Sequence, residues 1–552
     1  MSQSSFHLPP SKIDRWWTAP AWLIVALCCC LPLAWMLLAI LLHPHMLREL
    51  RPTAFRMELL GRTLLYNGAA AIIATLLALP AAVVIGRGRG WLSRLIAFIL
   101  PVTLLVPSIA YAYGWKMCLL LLYKRTGWDF FLPIPASAAD VVRCIWSLAT
   151  WLWALPAGII GLSLRRLDAN LQQQALLDGA LWRVTAMQLI GPAIASVAIV
   201  AVLASQEFAV YEPTGISVVA TEVRMVFETG SISSATNLIT APMGGDMAPQ
   251  DQPQRAAAAL ATAIPLLAVI ALLAFIAALG GRKYSAAESV DVGRWPANLD
   301  AGPFAISLTL LAIAITIIVP TASMVLAIQR PDAFNIPRIW VTFSPQAIGS
   351  IEIAAAAGAI ALALALSLAG KFSPAMLLAA LAAFLAGGQL LAIAMIRLYN
   401  HPGLQKWIYN APPIIVMAYL ARFGWIALVA GRSTHTPAWR ELRELAAVDG
   451  ATIAQTSLHV IWPIAWPLCA AAGVLVMALS LTEVPATVLL SPQRPPMIIP
   501  ELMQWVHMMR HDDMLEGSLL LMAIVMVLGL AAVTLVQVAR RLYSLRPRER
   551  TS

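Results

Sequence analysis

Charged residues are scarce in this sequence. Only 12% of its 552 residues are Asp, Glu, Lys or Arg, whereas 60% are hydrophobic. A soluble chain carries about 25% charged and roughly 45–50% apolar residues, so too little charge is present to cover several soluble domains. A cytosolic enzyme, a secreted module and a disordered scaffold are poor interpretations, and the composition indicates a polytopic membrane protein.

Cysteine and lysine are also rare. The six cysteines lie in or beside apolar runs and form no Cys-x-x-Cys pair, which argues against a zinc site or a redox pair. A phosphate-binding loop needs Gly-x-x-x-x-Gly-Lys-Ser/Thr, but of the six lysines only Lys371 follows a glycine, and Phe372 comes next. We therefore expect no ATP hydrolysis by this chain itself, and we predict no cofactor and no metal ligands.

Twelve apolar runs are long enough to cross a membrane, at about 20 residues each. They lie at residues 21–42, 63–85, 95–115, 144–163, 193–212, 256–280, 303–328, 347–369, 375–398, 412–431, 464–490 and 516–538. Twelve is an even number, and the arginine-rich tail after residue 538 favours the cytoplasm, so both termini are predicted there. The net charge of +10 then orients the spans, and the fold class is an all-α integral membrane protein.

Two cytoplasmic segments, 164–192 and 432–463, are too long and too polar to be simple turns. Both contain Asp-Gly-Ala, and in both a proline follows the glycine after thirteen residues. The matching residues of the first segment are Gln173, Ala175, Asp178, Gly179 and Pro192. Those of the second are Glu444, Ala446, Asp449, Gly450 and Pro463. The two glycines are 271 residues apart, about half the chain.

The spacing within each segment predicts a helix-turn-helix, which we call the first knuckle (164–192) and the second knuckle (432–463). A short helix ends at the glycine, since glycine accepts the left-handed backbone of a helix end. A second short helix runs to the proline, which starts the next span. Such a knuckle fits a groove on a partner and passes rigid-body motion to the spans.

The second knuckle resembles the signature EAA-type loop in the membrane subunits of binding-protein-dependent ABC importers. In that loop Glu-Ala-Ala-x-x-x-Gly is followed, after nine residues, by Ile-x-Leu-Pro. Glu444, Ala446, Gly450 and Pro463 match this pattern. The first knuckle is a degenerate copy, with Gln173 in place of the glutamate and Gly191 in place of the leucine. With residues 418–423 and 483–490, the layout resembles the ferric iron importer permeases, and thiamine permeases share it.

This resemblance implies a type I importer permease of two homologous six-helix halves, 1–295 and 296–552, in a bacterial inner membrane. A homodimer of ATP-binding cassette subunits would grip the knuckles from the cytoplasm. A solute-binding protein would deliver the substrate, with iron(III) as the leading choice, to the outer side. Thiamine, a polyamine or a phosphonate are alternative substrates, and a secondary transporter driven by an ion gradient is an alternative class.

Ionisable residues inside spans are costly and are functional candidates. Glu207 and Glu483 lie in the fifth and eleventh spans as rough counterparts, which predicts a cation-attracting or gating position near the outer end of a pathway. The alternative is a helix-end acid at the interface, or one bonded to a neighbouring helix. Arg422 and Glu352 also fall within spans and could form an ion pair in the second half.

Three further features have an ordinary interpretation beside a functional one. Asn67 and Gln389 are predicted to hydrogen-bond between helices rather than to contact substrate. The stretch 503–514, with His507 and His511 among four methionines, contains soft metal ligands. Its amphipathic spacing favours a surface helix in the lipid headgroups, or a docking face for the solute-binding protein.

Overall fold

The computed structural model describes residues 12–42, 52–88, 90–127, 135–229, 252–285, 301–332, 334–369, 373–433, 437–492 and 494–544. Across these residues the chain is helical and contains no β-strand. The predicted all-α class is therefore confirmed for this part of the chain. The tail arginines at 546, 548 and 550, which helped to orient the spans, lie outside it.

The described part of the first half contains eleven α-helices. They are α1 (Lys12–Val25), α2 (Leu31–Leu42), α3 (Ala54–Arg87), α4 (Trp91–Ile99), α5 (Ser108–Thr126), α6 (Ala136–Leu152), α7 (Ala154–Arg165), α8 (Ala169–Leu177), α9 (Leu181–Ser205), α10 (Val219–Thr229) and α11 (Gln252–Ser285). A π-helical turn, Ala26–Cys30, joins α1 to α2, and 3-10 turns lie at Leu100–Leu105 and Glu212–Thr214.

The described part of the second half contains twelve α-helices. They are α12 (Pro303–Ile313), α13 (Val319–Ala327), α14 (Ile336–Ser367), α15 (Pro374–Ala386), α16 (Gly388–Tyr399), α17 (Pro413–Ser433), α18 (Pro437–Val448), α19 (Ile453–Gln455), α20 (Trp462–Thr482), α21 (Pro485–Leu490), α22 (Ile498–His507) and α23 (His511–Ser544). π-helical turns lie at Ala314–Ile318, Gln405–Tyr409 and Thr456–Ile461.

Nine of the described helical stretches are long and apolar enough to cross a membrane, and three bent pairs raise the number to as many as twelve. The pairs are Trp91–Leu105 with Ser108–Thr126, Ser137–Leu152 with Ala154–Arg165, and Pro374–Ala386 with Gly388–Tyr399. Their bends are 97°, 40° and 103°. They coincide with the third, fourth and ninth predicted spans, so the described helices are consistent with the sequence prediction.

The two sharp bends occur where the backbone leaves the helical region. Val106 is extended, at φ −89° and ψ 132°, because the residue before a proline disfavours the helical conformation and Pro107 follows. Gly387 has φ +85°, a value that side chains rarely allow. Each break creates a new helix N-terminus among apolar segments, at Ser108 in α5 and at Gly388 in α16.

The first span of each half packs against the opposite half. The Tyr399 hydroxyl on α16 donates to the Leu27 carbonyl in the first span at 2.7 Å. The Tyr111 hydroxyl on α5 donates to the Thr316 carbonyl in the seventh span at 2.6 Å. Buried apolar residues of the first span also join a core cluster formed by α14 to α17. The two halves of the sequence are thus interlocked.

The carbonyls that accept these two hydrogen bonds lie in the π-helical turns of the two spans. A proline follows Leu27 after five residues, at Pro32, and Thr316 after four, at Pro320. Because proline has no N–H, it leaves a carbonyl of the preceding turn without its usual helical donor. In each case a tyrosine hydroxyl from the other half donates to a carbonyl in the turn before the proline, which a membrane environment makes valuable.

Candidate functional site

The first knuckle is built from α8, a glycine turn and the start of α9. The Ala180 N–H donates to the Ala175 carbonyl at 2.8 Å, and the Gly179 N–H donates to the Leu176 carbonyl at 3.2 Å. This pair of bonds is the Schellman motif. Gly179 supplies the φ of +67° that the motif requires.

The second knuckle ends its first helix, α18, with the same motif. The Ala451 N–H donates to the Ala446 carbonyl at 2.9 Å, and the Gly450 N–H donates to the Ala447 carbonyl at 3.1 Å. Gly450 has φ +76°. At both turn glycines an added Cβ would meet no atom within 4 Å, so the backbone angle, and not space, requires glycine there.

Neither knuckle proline begins a span. Pro463 lies inside the helical stretch Thr456–Thr482, which consists of a π-helical turn and α20. Pro192 lies inside the continuous helix α9. The prediction of a separate short helix before each proline is therefore wrong. The Ser196 hydroxyl donates to the Pro192 carbonyl at 2.7 Å. Membrane helices tolerate an internal proline where neighbouring groups satisfy the freed backbone.

Both knuckles expose apolar side chains beside their acidic residues. Leu177 is 86% exposed and Val448 is 84% exposed, each directly before the Asp-Gly pair. Trp182 is 77% exposed just after the first turn. Other predicted site residues divide by helix face: Ala175 and Ala446 are buried, whereas Gln173, Asp178, Glu444 and Asp449 are exposed. Apolar groups rimmed by polar ones are typical of a protein-binding surface.

A network of buried hydrogen bonds attaches the first knuckle to the spans, and it was not predicted from the sequence. Gln172 is fully buried. Its Nε2 donates to Gln188 Oε1 at 2.6 Å, and its Oε1 accepts from the Thr185 hydroxyl at 2.7 Å. Arg87, at the end of α3, donates to the same hydroxyl at 3.4 Å. Helical spacing could have revealed it, because Gln172 lies three residues before the buried Ala175.

The second knuckle starts its next helix with a capping box instead. The Gln455 N–H donates to the Thr452 hydroxyl at 3.3 Å, and the Thr452 N–H donates to Gln455 Oε1 at 2.9 Å. These reciprocal bonds satisfy two backbone donors at the helix start. The helix start after the first knuckle has no side-chain cap.

Glu207 and Glu483 lie at the far ends of the helices that leave the knuckles. α9 ends at Ser205, two residues before Glu207, and Glu483 is the C-cap of α20. Both side chains are buried. At about 1.5 Å per residue, the 25 residues of α9 place Glu207 roughly 37 Å from the glycine turn of the first knuckle. That length exceeds a hydrocarbon core of about 30 Å, so the carboxylates lie near the opposite end of the helices.

Each carboxylate meets the N-terminus of a broken helix from its own half. Ser108, the first residue of α5, donates its hydroxyl to Glu207 Oε2 at 2.8 Å. Gly388, the first residue of α16, lies so close to Glu483 that a Cβ would overlap Glu483 Oε1. Helix N-termini carry partial positive charge and favour anions. Glu207 directly follows Gln206, which hydrogen-bonds to the arginine beside Glu483, so both carboxylates belong to one polar network across the halves.

Arg422 is the buried cation beside these carboxylates. Its Nη1 donates to the Phe384 carbonyl at 2.6 Å and to Gln206 Oε1 at 2.5 Å. Its Nε lies 3.6 Å from Glu483 Oε2. The suggested pairing of Arg422 with Glu352 is therefore wrong, because Glu352 is exposed on α14 and Glu483 is the acid within reach.

Gln206 joins the two halves at this point. Its Nε2 donates to the Leu385 carbonyl at 3.1 Å, and its Oε1 accepts from Arg422. Its side chain also packs against Gly387, 3.3 Å from the position of a Cβ there. Gln206 was not predicted as a site residue, although it is adjacent to Glu207 in the sequence. We call this group of five residues the interhalf cluster: Ser108, Gln206, Glu207, Arg422 and Glu483.

Besides Arg422 Nε, two buried polar atoms in or beside the interhalf cluster have no hydrogen-bond partner. They are Glu483 Oε1 and Gln389 Nε2. Gln389 lines a cavity of about 30 Å³ together with Ser205 and Gln206. A cavity of this size holds a water molecule. Buried polar groups are nearly always paired, so these two atoms mark a place where a further polar group fits.

A second, wider pocket adjoins the interhalf cluster through Phe208, which follows Glu207. It has a volume of about 140 Å³ and is lined by Glu212, Glu222, Glu228 and Arg224 among others. Arg224 forms ion pairs with Glu212 at 2.5 Å and with Glu228 at 2.7 Å. Burial raises the pKa of Glu212 despite the opposing effect of Arg224. Three carboxyl groups against one guanidinium nevertheless make the lining predominantly acidic.

The predicted hydrogen bonds between helices are found for Asn67. Its Nδ2 donates to the Ser205 hydroxyl at 3.3 Å, and its Oδ1 accepts from the Tyr211 hydroxyl at 2.8 Å. Gln389 differs, because its unpartnered Nε2 makes no such bond. The predicted hydrogen bonding between helices is therefore found for Asn67 but not for the amide nitrogen of Gln389.

The helix α22, whose end overlaps the stretch 503–514, packs into the protein. Met503 and Trp505 are buried, and the Trp505 ring meets Phe343 edge-on at 5.3 Å. Met508 and Met509, which follow α22, are 56% and 71% exposed, so the interpretation as a headgroup or docking surface stays a prediction. Among the described residues no three His, Cys, Asp or Glu side chains are grouped so that they could hold a metal ion.

Comparison with known proteins gives no match to this chain among protein-family models, curated proteins or solved structures.

Proposed function

We propose that the chain is the membrane-spanning permease subunit of an ATP-driven importer of the ABC class. The observation that carries this proposal is the pair of knuckles. They share one Schellman turn at an offset of 271 residues, and both expose apolar and acidic side chains. A helix that leaves each knuckle runs to a buried carboxylate, so a push on the knuckle reaches the interior of the bundle.

The partners follow from what the chain itself has to receive. A homodimer of ATP-binding cassette ATPases binds the two knuckles and hydrolyses the ATP, because the sequence has no phosphate-binding loop. A solute-binding protein delivers substrate at the opposite end. The knuckles then face the cytoplasm of a bacterial cell with both termini on that side, and the interhalf cluster lies toward the outer face of the inner membrane.

Iron(III) is the proposed substrate. Two observations support a cation: the buried carboxylates Glu207 and Glu483, and the acidic pocket around Glu212 beside them. The resemblance to ferric iron permeases narrows the cation to iron. A polyamine is also a cation and fits the same charges. Thiamine is supported only by the layout that thiamine permeases share with ferric iron permeases. A phosphonate is an anion and would have to pass these acidic groups.

A secondary transporter driven by an ion gradient is the alternative from another class. Twelve spans in two halves and buried carboxylates fit such a carrier. A gradient-driven carrier has no use for two exposed knuckles of matching geometry, and this favours the importer. Dependence of uptake on a separate ATPase chain distinguishes the two.

Two substitutions in the second knuckle test the proposal. Gly450→Val forces a β-branched residue to φ +76° and should reduce uptake at least tenfold, and Glu444→Lys should reduce co-purification of the ATPase. The uptake of radioactive iron by cells and the ATPase recovered with the purified chain are measured. Gly450→Asn, which tolerates this angle, and Glu441→Lys, on an exposed part of the same helix, are the controls. Unchanged coupling in both test variants would refute the knuckle assignment.

A further inference from the structure

We propose that the interhalf cluster is a counter-ion exchange site for a cation in transit. When no cation is bound, the Arg422 guanidinium offsets one of the two negative charges, and an arriving cation takes over that role and releases Arg422 from Glu483. The inference rests on the proposed function in one respect, namely that the transported substrate is a cation.

The charges of the interhalf cluster define the class of ligand. The interhalf cluster contains two carboxylates, Glu207 and Glu483, and one guanidinium, Arg422, so one negative charge is left without a counter-ion when both acids are ionised. Glu207 accepts a hydrogen bond from the neutral Ser108 hydroxyl. Buried charge without a partner is costly. A cation that enters between the carboxylates removes this cost, whereas an anion increases it.

The available ligand atoms narrow the class further. The Glu483 side chain is 94% buried, and its Oε1 has no hydrogen-bond partner. Glu207, Ser108 and Gln206 add carboxylate, hydroxyl and amide oxygens. All of these are hard oxygen donors, and no sulfur or imidazole belongs to the cluster. Hard metal cations prefer oxygen ligands, so the site suits a hard, highly charged cation.

The contacts of Arg422 allow it to leave Glu483 without leaving its place. Its two hydrogen bonds go to neutral acceptors, the Phe384 carbonyl and Gln206. The 3.6 Å between its Nε and Glu483 is longer than a hydrogen bond, and that Nε has no hydrogen-bond partner. The guanidinium also lies 4.8 Å from the centre of the Phe384 ring, a favourable position for a cation.

The position of the cluster connects exchange to the knuckles. Glu207 follows α9 and Glu483 ends α20, and these are the helices that leave the two knuckles. Gln206 and Arg422 form the bond across the halves. Any movement of α9 relative to α20 therefore changes the distance between the carboxylates, and with it the preference for Arg422 or for a free cation.

Binding of terbium(III), a hard trivalent probe, to the purified full chain in lipid nanodiscs tests the inference. Glu483→Gln should weaken binding at least tenfold, because it removes a ligand charge. Arg422→Gln should strengthen binding at least threefold, because it removes the built-in competitor and keeps a donor for Phe384. Glu352→Gln, an exposed acid in a span, is the control for surface binding and should leave the affinity unchanged.

The sign of the Arg422→Gln effect decides between exchange and a structural role. Weaker binding in this variant, or equal affinities in all variants, overturns the proposal. If Arg422→Gln does not fold, the double variant E483Q/R422Q replaces the ion pair by two neutral amides. It should keep the unfolding temperature of the wild type and lose at least tenfold in terbium affinity, and wild-type affinity in a folded double variant overturns the proposal as well.

Failure of this inference is distinguishable from failure of the proposed function. If Gly450→Val and Glu444→Lys abolish iron uptake while terbium binding ignores the cluster variants, the importer stands and the exchange site is wrong. If uptake ignores the knuckles while terbium binding follows the predicted signs, the exchange site stands and the importer is wrong.

Discussion

In the first half of the chain the buried Glu207 accepts a hydrogen bond from the Ser108 hydroxyl, whereas in the second half Glu483 faces Gly388 and the charge of Arg422. Both carboxylates stand at the N-terminus of a broken helix. The first half stabilises its carboxylate with a neutral donor, and the second half uses an opposite charge. The shared backbone plan thus leaves the side chains free to differ.

The two knuckles differ in a similar way. Their turns have the same hydrogen bonds and the same left-handed glycine. The first knuckle is anchored from below by the buried Gln172 and Thr185, while the second is stabilised at its helix start by Thr452 and Gln455. The first knuckle, which has Gln173 where the second has Glu444, is therefore attached to the spans by buried hydrogen bonds.

The largest expected effect comes from giving Gly388 a side chain like that of its counterpart Ser108. Gly388→Ala places a Cβ on Glu483 Oε1 and pushes the carboxylate away from Arg422. Oε1 is the far end of a flexible side chain, so the carboxylate moves while both partners of the ion pair stay. The cost is therefore below the about 3–5 kcal/mol of removing one partner from a buried ion pair, and we expect a measurable fall in unfolding temperature. Gly424→Ala, where a Cβ meets no atom within 4 Å, is the matched control and should not lower stability. Equal results for the two variants would show that Glu483 has room to move.

A smaller effect is expected at the anchor of the first knuckle. Gln172→Leu leaves Thr185 and Gln188 without their buried partner, which costs about 1–3 kcal/mol. Gln173→Leu, at the exposed neighbouring position, should change stability by less than about 0.5 kcal/mol. Thermal unfolding of both variants in detergent measures the difference. A loss at Gln173 as large as that at Gln172 would contradict the inward orientation of Gln172.

The smallest effect is expected at the capping box of the second knuckle. Thr452→Ala removes the hydroxyl that accepts from the Gln455 N–H and should cost about 1 kcal/mol. Thr452→Ser keeps the hydroxyl and should preserve stability, again by thermal unfolding. If alanine and serine behave alike, the cap does not stabilise this knuckle, and the contrast with the first knuckle weakens.

Hydropathy predicts apolar stretches as long as a bilayer is thick, and nine described helical stretches, or up to twelve with the bent pairs, match that length. It did not predict the two sharp breaks, since a window of about 20 residues averages across them. Local signals existed, in Pro107 for one break and in the glycine pair 387–388 for the other. The turn glycines of the knuckles were predictable because the helix end depends on a few adjacent residues.

The interhalf cluster was predictable only in part. Glu207 and Glu483 are unusual in spans, so composition alone identified them. Their place in one polar network, and the pairing of Glu483 with Arg422 in place of Glu352, depend on how distant helices pack, and no local pattern carries that information. Gln206 escaped attention because an amide in a span costs less than a charge and stands out less.

The hydrogen bond from Tyr399 to Leu27 spans 372 residues of sequence. At about 5–20 residues per second, a ribosome that has made Leu27 needs on the order of 20–70 s to make Tyr399. During that time the first span waits in the membrane with one carbonyl lacking its final donor and one face lacking its neighbours. Assembly of the chain is therefore completed late. A half produced alone would expose the surface that the first span of the other half normally covers.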